Sequence, residues 1–144
     1  DDVAWIKDLW GGPLIIKGIM TAEDAMLAVA HGADAIVVSN HGGRQLDGAP
    51  ASCDALPTIK SAVSAETEVW VDGGIRSGQD VLRMLALGAT GTMIGRAYIY
   101  GLGAMGQNGV RKALEIIQNE LDLTMAFCGK TSLANVERDI LFSR

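Results

Sequence analysis

Ala35-Ile36-Val37-Val38-Ser39-Asn40-His41-Gly42-Gly43-Arg44-Gln45-Leu46-Asp47 changes character in its middle. Its first four residues are apolar without alternation, as in a parallel strand covered on both faces. The strand then stops in a histidine, two glycines and an arginine. His41 can take or give a proton near neutral pH. Arg44 presents a planar fork suited to a carboxylate. Gly42 and Gly43 let the backbone turn tightly or let a ligand approach it. A base, an anion clamp and room for a ligand gathered at one strand end form a candidate active site.

Three more apolar runs, 14–16, 69–71 and 92–94, read as strands, and each ends in polar or glycine residues: Lys17-Gly18, Asp72-Gly73-Gly74 and Gly95-Arg96. Helical patterns separate them. Thr21 caps one, with Glu23 and Asp24 in its first turn and Gly32 just past its end. Ser77 caps another, with Asp80 in its first turn and Gly88 closing it. Residues 57–64 predict the helix between the second and third strands, and 110–127 a longer amphipathic helix after the fourth. Segments 21–40 and 77–96 repeat at an offset of 56, with Asp24 matching Asp80, Ala30 matching Ala86, and Gly32-Ala33 matching Gly88-Ala89. Repeated βα units with chemistry at the C-terminal strand ends predict an α/β fold of the TIM (β/α)8 barrel type. Four strands are half of what such a barrel needs. Residues 1–144 therefore read as one half-barrel belonging to a single domain.

Composition narrows the function. The chain is long enough to bury a sizeable core. Its Ala, Ile, Leu and Val content and 18 glycines suit alternating strands and helices. Twelve basic against seventeen acidic residues give a formal charge of −5, with no basic stripe to neutralise phosphates, which excludes generic nucleic-acid binding. Cys53 and Cys128 match no metal-ligand spacing; no metal site is predicted, and both read as buried reduced thiols. The longest apolar stretches fall short of the roughly 20 residues that cross a bilayer, and no signal-peptide pattern is visible. The chain starts Asp1-Asp2 and enters a helical pattern at once, which reads as a start inside a longer protein.

Asp72-Gly73-Gly74-Ile75-Arg76-Ser77-Gly78 joins the third strand to a capped helix. Exposed backbone N–H groups, an arginine and a helix N-terminus make an anion site. Gly95-Arg96 closes the fourth strand in the same manner, and a phosphate held by the loops after the last two strands recurs in barrels. Lys17 at a strand end is costly unless a negative group pairs with it. His31 sits in the last turn of a helix, where it favours the helix dipole. Trp5, Trp10 and Trp70 read as packing residues, and Asp47-Gly48 as a turn.

Taken together, these motifs resemble the FMN-dependent 2-hydroxy-acid dehydrogenases and oxidases. SNHGGRQLD is similar to the family's signature, and LIIKGI, VDGGIRSGQDVLRMLALGA and MIGRAYIYGL flank it in the family's order. The resemblance covers nearly the whole chain and implies strands five to eight of the barrel, its C-terminal half. It implies FMN as cofactor and oxidation of a small L-2-hydroxy acid, L-lactate first, to the 2-oxo acid. His41 would be the base and Arg44 the clamp on the substrate carboxylate. Lys17 and Ser39 would contact the flavin ring. Asp72, Gly73, Gly74, Ile75, Arg76, Gly95 and Arg96 would hold the ribityl chain and phosphate. A lysine about 4 Å from developing negative charge contributes roughly 4 kcal/mol at an effective dielectric near 20, as an upper limit.

The resemblance also implies partners: an electron acceptor (oxygen, a quinone or a cytochrome), further copies in a homo-oligomer, and the N-terminal half-barrel. That half would carry a tyrosine, a second arginine and the aspartate that orients the histidine. The implied location is the cytoplasm or the cytoplasmic face of the membrane. Other phosphate-binding barrels, of the IMP dehydrogenase or flavin-dependent isopentenyl diphosphate isomerase type, share motifs such as GGIRSG, but leave the spacing of His41 and Arg44 unexplained. Alone, the half-barrel is expected to bind flavin weakly, turn over little and expose sheet edges.

Overall fold

The computed structural model describes residues 2–142, so Asp1 and the last two positions of the predicted domain lie outside the described residues. Four parallel strands pair in the order β1 (Ile15–Ile19), β2 (Ala35–Val38), β3 (Glu68–Val71) and β4 (Gly91–Thr92). The helices are α1 (Asp2–Trp10), α2 (Ala22–Ala30), α3 (Ser52–Ala62), α4 (Gly78–Ala86) and α5 (Arg96–Phe127). β2 is buried along its whole length, as its unbroken apolar run predicts. It pairs with β3 from Ala35↔Glu68 to Val38↔Val71 without a slip. Ile36, Val38, Val69 and Val71 meet Leu56 and Ile59 of α3 to form the core. β3 alternates instead, and β1 is exposed or half-buried until Ile19, its one buried residue. The outer edge of β1 and that of β4 have no strand partner among the described residues.

Several boundaries differ from expectation. β1 continues to Ile19, so Lys17 lies inside the strand rather than at its end. Gly18, at φ +99°, is an extra residue that shifts the register between Lys17↔Val37 and Ile19↔Val38. β4 begins one residue earlier than predicted and ends at Thr92. α3 starts at Ser52 and carries Pro57 inside it. Pro57 is the sixth residue of the helix, so it leaves the Cys53 carbonyl without its i+4 donor.

α5 starts at Arg96, fourteen residues before the predicted amphipathic stretch (96 against 110), and leaves helical geometry at Met105 and Gly106. Gly106 has φ +57°, so the chain doubles back. A Cβ on Gly109 would lie 1.8 Å from the Gly101 carbonyl oxygen; only glycines allow the two arms to touch. The second arm packs on α4.

Packing roles also need correction. Trp70 covers Gly91, as predicted. Trp5 and Trp10 are 62% and 68% exposed, because α1 buries no residue at all. α1 is tied down by polar bonds: Lys7 Nζ donates to the Gly32 carbonyl at 2.5 Å and to Asp34 Oδ1 at 3.0 Å. The Leu14 N–H and then Lys7 hold the Asp34 carboxyl below its usual range. Both cysteines are free, but Cys128 is exposed and Cys53 only half-buried. Burial pushes the Cys53 thiol up. No cluster of metal-ligating side chains occurs among the described residues.

Candidate active site

β2 delivers its last residues into a tightly bonded turn. Asn40 caps it: Oδ1 accepts from the Gly42 N–H at 3.0 Å, while its own N–H donates to Ser52 Oγ at 3.2 Å. Ser39 is buried, and its Oγ accepts from the His41 N–H at 3.1 Å and from Lys17 Nζ at 2.8 Å. His41 itself has φ +54°, the one described non-glycine residue in the left-handed region. Such strain persists only where the surroundings hold it, and it falls on the candidate base.

One cavity of about 240 Å³ opens at the C-terminal strand ends. His41, Arg44, the five residues from Asp72 to Arg76, Gly95 and Arg96 all line it. The two glycine–arginine turns therefore converge. Arg96 reaches across to the histidine turn, where its Nη2 would meet a Cβ on Gly42 at 3.2 Å. Gly73, at φ +96°, is equally constrained: a Cβ there would sit 2.9 Å from Ser52 Oγ. Met93, Ala97 and Ile99 complete the walls. Sequence reading did not single these three out, though Ala97 and Ile99 follow Gly95-Arg96 on the first turn of a helix.

Lys17 and Ser39 do not line that cavity. They connect to it through Asp72, whose Oδ2 lies 2.8 Å from Lys17 Nζ. This is the negative group that a lysine at that place requires. It also means that the ammonium's field reaches outward as that of an ion pair, below the limit calculated for a free lysine. The other oxygen, Asp72 Oδ1, is buried with no hydrogen-bond partner among the described residues. An orphaned buried acceptor at a cavity wall suits a ligand hydroxyl or N–H.

The predicted anion site at the start of α4 is corrected by the hydrogen bonds. Ser77 Oγ accepts from the Asp80 N–H at 3.2 Å, and Asp80 Oδ2 accepts from the N–H groups of Arg76 and Ser77, each at 3.1 Å. Glu120 of α5 takes the Gly78 N–H at 2.9 Å. Burial alone would raise the Asp80 carboxyl; those N–H groups, the Ser77 hydroxyl and Arg83 outweigh it and hold it below its ordinary value of 3.8. The N–H groups of Arg76, Ser77, Gly78 and Asp80 at the α4 terminus are thus taken by the side chains of Asp80, Glu120 and Ser77. The α5 terminus differs: Gly95 stands at its N-cap with no side chain to accept a bond. Arg76 and Arg96 flank that open terminus, and neither pairs with a carboxylate among the described residues. A helix N-terminus between two arginines favours a phosphate.

Comparison with known proteins agrees with the geometry. The L-lactate dehydrogenase of Vibrio cholerae serotype O1 (strain M66-2) is 52% identical over 143 residues, covering 99% of this chain and 38% of the relative. That of Caulobacter vibrioides (strain NA1000 / CB15N) is also 52% identical, with 37% of its length covered. The crystal structure of mandelate oxidase with benzoyl-formic acid superposes with a TM-score of 0.91 at 47% identity, over 94% of this chain and 41% of that one. The chain thus spans about two fifths of the proteins it matches. The family described as FMN-dependent dehydrogenase matches residues 1–143, and this chain belongs to that family, as part of its parallel α/β barrel.

Proposed function

We propose that this chain forms the flavin-phosphate and substrate-carboxylate side of an enzyme that oxidises L-lactate, or a closely related L-2-hydroxy acid, to the 2-oxo acid. One observation carries the reading: His41, Arg44, Asp72 and both glycine–arginine turns face a single cavity at the strand ends. The residues present suit FMN. The open α5 terminus with Arg76 and Arg96 fits its phosphate, and the orphaned Asp72 Oδ1 fits a ribityl hydroxyl. When bound, FMN supplies the two-electron acceptor that no side chain provides.

The chain's own residues do the rest. Arg44 holds the substrate carboxylate in its fork, which orients the α-carbon and hydroxyl. His41 accepts the proton released as the hydroxyl carbon becomes a carbonyl. Lys17, braced by Ser39 and Asp72, places positive charge beneath the cavity. An external acceptor (oxygen, a quinone or a cytochrome) then takes the electrons. The strands that relatives carry outside the matched region complete the wall facing His41. We place the enzyme in the cytoplasm or on the cytoplasmic membrane face, as a homo-oligomer.

The test joins this chain to the remaining barrel strands, loads FMN and adds L-lactate anaerobically. Bleaching of the flavin absorbance is the expected result. His41→Gln should keep the flavin bound while slowing bleaching by about 10²–10⁴-fold, the usual worth of a positioned base. No bleaching with lactate, glycolate or mandelate would overturn the assignment.

A further inference from the structure

We infer that Asn40 is a positioning residue for substrate binding: its side chain closes the neck of the loop that carries Arg44, and so fixes where the carboxylate is held. The inference rests on reading Arg44 as the carboxylate clamp. Residues 41–50 leave the end of β2 and return to the start of α3, with only the short turn His41–Gly43 as regular structure. None of these ten residues is buried within this chain, so polar bonds rather than packing must hold the loop. Asn40 supplies them at both ends. Its Oδ1 accepts from the Gly42 N–H at 3.0 Å, and its Nδ2 donates to the Pro50 carbonyl at 3.1 Å. The two partners fix the orientation of the amide, since the reverse would set N–H against N–H and carbonyl against carbonyl.

The clip is itself held in place. The Asn40 N–H donates to Ser52 Oγ at 3.2 Å, and Ser52, the first residue of α3, is buried. The Asn40 carbonyl accepts from the Gly43 N–H at 3.0 Å. Gly73 backs onto the pair: a Cβ there would lie 3.1 Å from Asn40 Oδ1 and 2.9 Å from Ser52 Oγ. The loop with Arg44 is therefore referenced to the turn after β3, which lines the same cavity. A loop fixed in this way spares the substrate the cost of ordering it, and sets the carboxylate at a constant distance from His41.

The test uses the full-length flavoenzyme of the bleaching experiment. Asn40→Ser keeps a hydroxyl to accept from the Gly42 N–H but is too short to reach Pro50. Asn40→Asp keeps the acceptor and sets a carboxylate against the Pro50 carbonyl. Each should raise KM for the hydroxy acid about tenfold, with kcat within about threefold and FMN affinity within about twofold. The Kd of the corresponding 2-oxo acid, read from the flavin spectrum without turnover, should rise with KM. Asn40→Ala frees the His41 turn as well and should also lower kcat about 30-fold, so that serine restores kcat but not KM. Should Asn40→Ala fail to fold, Asn40→Ser decides. An unchanged KM in Asn40→Ser overturns the inference, because a rise confined to Asn40→Asp would come from its charge. A loss of FMN that matches the loss of substrate affinity overturns it too. A wild type that neither bleaches nor binds the 2-oxo acid overturns the functional reading and this inference with it; a wild type that does both, with variants that match it, overturns this inference alone.

Discussion

The two glycine–arginine turns, Gly74-Ile75-Arg76 before α4 and Gly95-Arg96 before α5, look alike in sequence and differ in what their helices do. At α4, Ser77, Asp80 and Glu120 consume the donors, and the turn becomes a structural joint clamped to α5. At α5 the N-cap is a glycine, the donors stay open, and both arginines border the same cavity. A helix terminus is a ligand site only where its own chain has left the N–H groups unspent. Arg76 belongs to the first turn by sequence and to the second site by position.

The largest test of that contrast is steric. A Cβ on Gly78 would lie 1.9 Å from the Leu121 backbone nitrogen, so Gly78→Ala must push α5 away from α4. It should cost about 3 kcal/mol in chemical denaturation. Gly95→Ala, with nothing within 4 Å of its Cβ, should cost under about 0.5 kcal/mol. Equal losses would mean that the two turns are packed alike.

Next in size is the ligand. Arg96→Met removes a charged donor from the open terminus and should weaken FMN binding about 30-fold, or about 2 kcal/mol, by quenching of flavin fluorescence. Arg83→Met, beside the capped terminus, should change it less than about twofold. If both arginines matter equally, phosphate binding is not confined to α5.

Smallest is the cap. Asp80→Ala should destabilise the chain by about 1 kcal/mol near neutral pH with flavin affinity intact. Its folded-state carboxyl lies below the ordinary 3.8, so this stabilisation is complete above that value. It disappears as pH falls through the lower folded-state value. Denaturation of wild type and Asp80→Ala should therefore converge only in strong acid, and a difference that grew on acidification would contradict the assignment.

Much of this was legible along the chain. Unbroken Ala35–Val38 marked the buried central strand, and Thr21 and Ser77 do cap α2 and α4. Nine of the eleven predicted site residues line one cavity, leaving Lys17 and Ser39 just beneath it. What escaped had no periodic or motif signal. Trp5 and Trp10 read as core from their chemistry, but whether a helix face is covered depends on its neighbours, and α1 has few. The extent of α5 was hidden because the arm from 96 to 104 is glycine-rich, and a close helix crossing requires the same glycines that argue against a helix.

The order of amino acids by itself determined which strand ends carry chemistry, since a histidine, arginines and glycines at the close of apolar runs can only be set there by sequence. Tertiary structure decided which of those groups remain available. Lys17 is paired because Asp72 comes from a strand two places away in the sheet, and α4 is closed because Glu120 arrives from α5. Hydrogen-bond donors and charges are satisfied by whatever lies within about 3 Å of them, and across tens of residues that neighbour is set by packing, not by spacing along the chain.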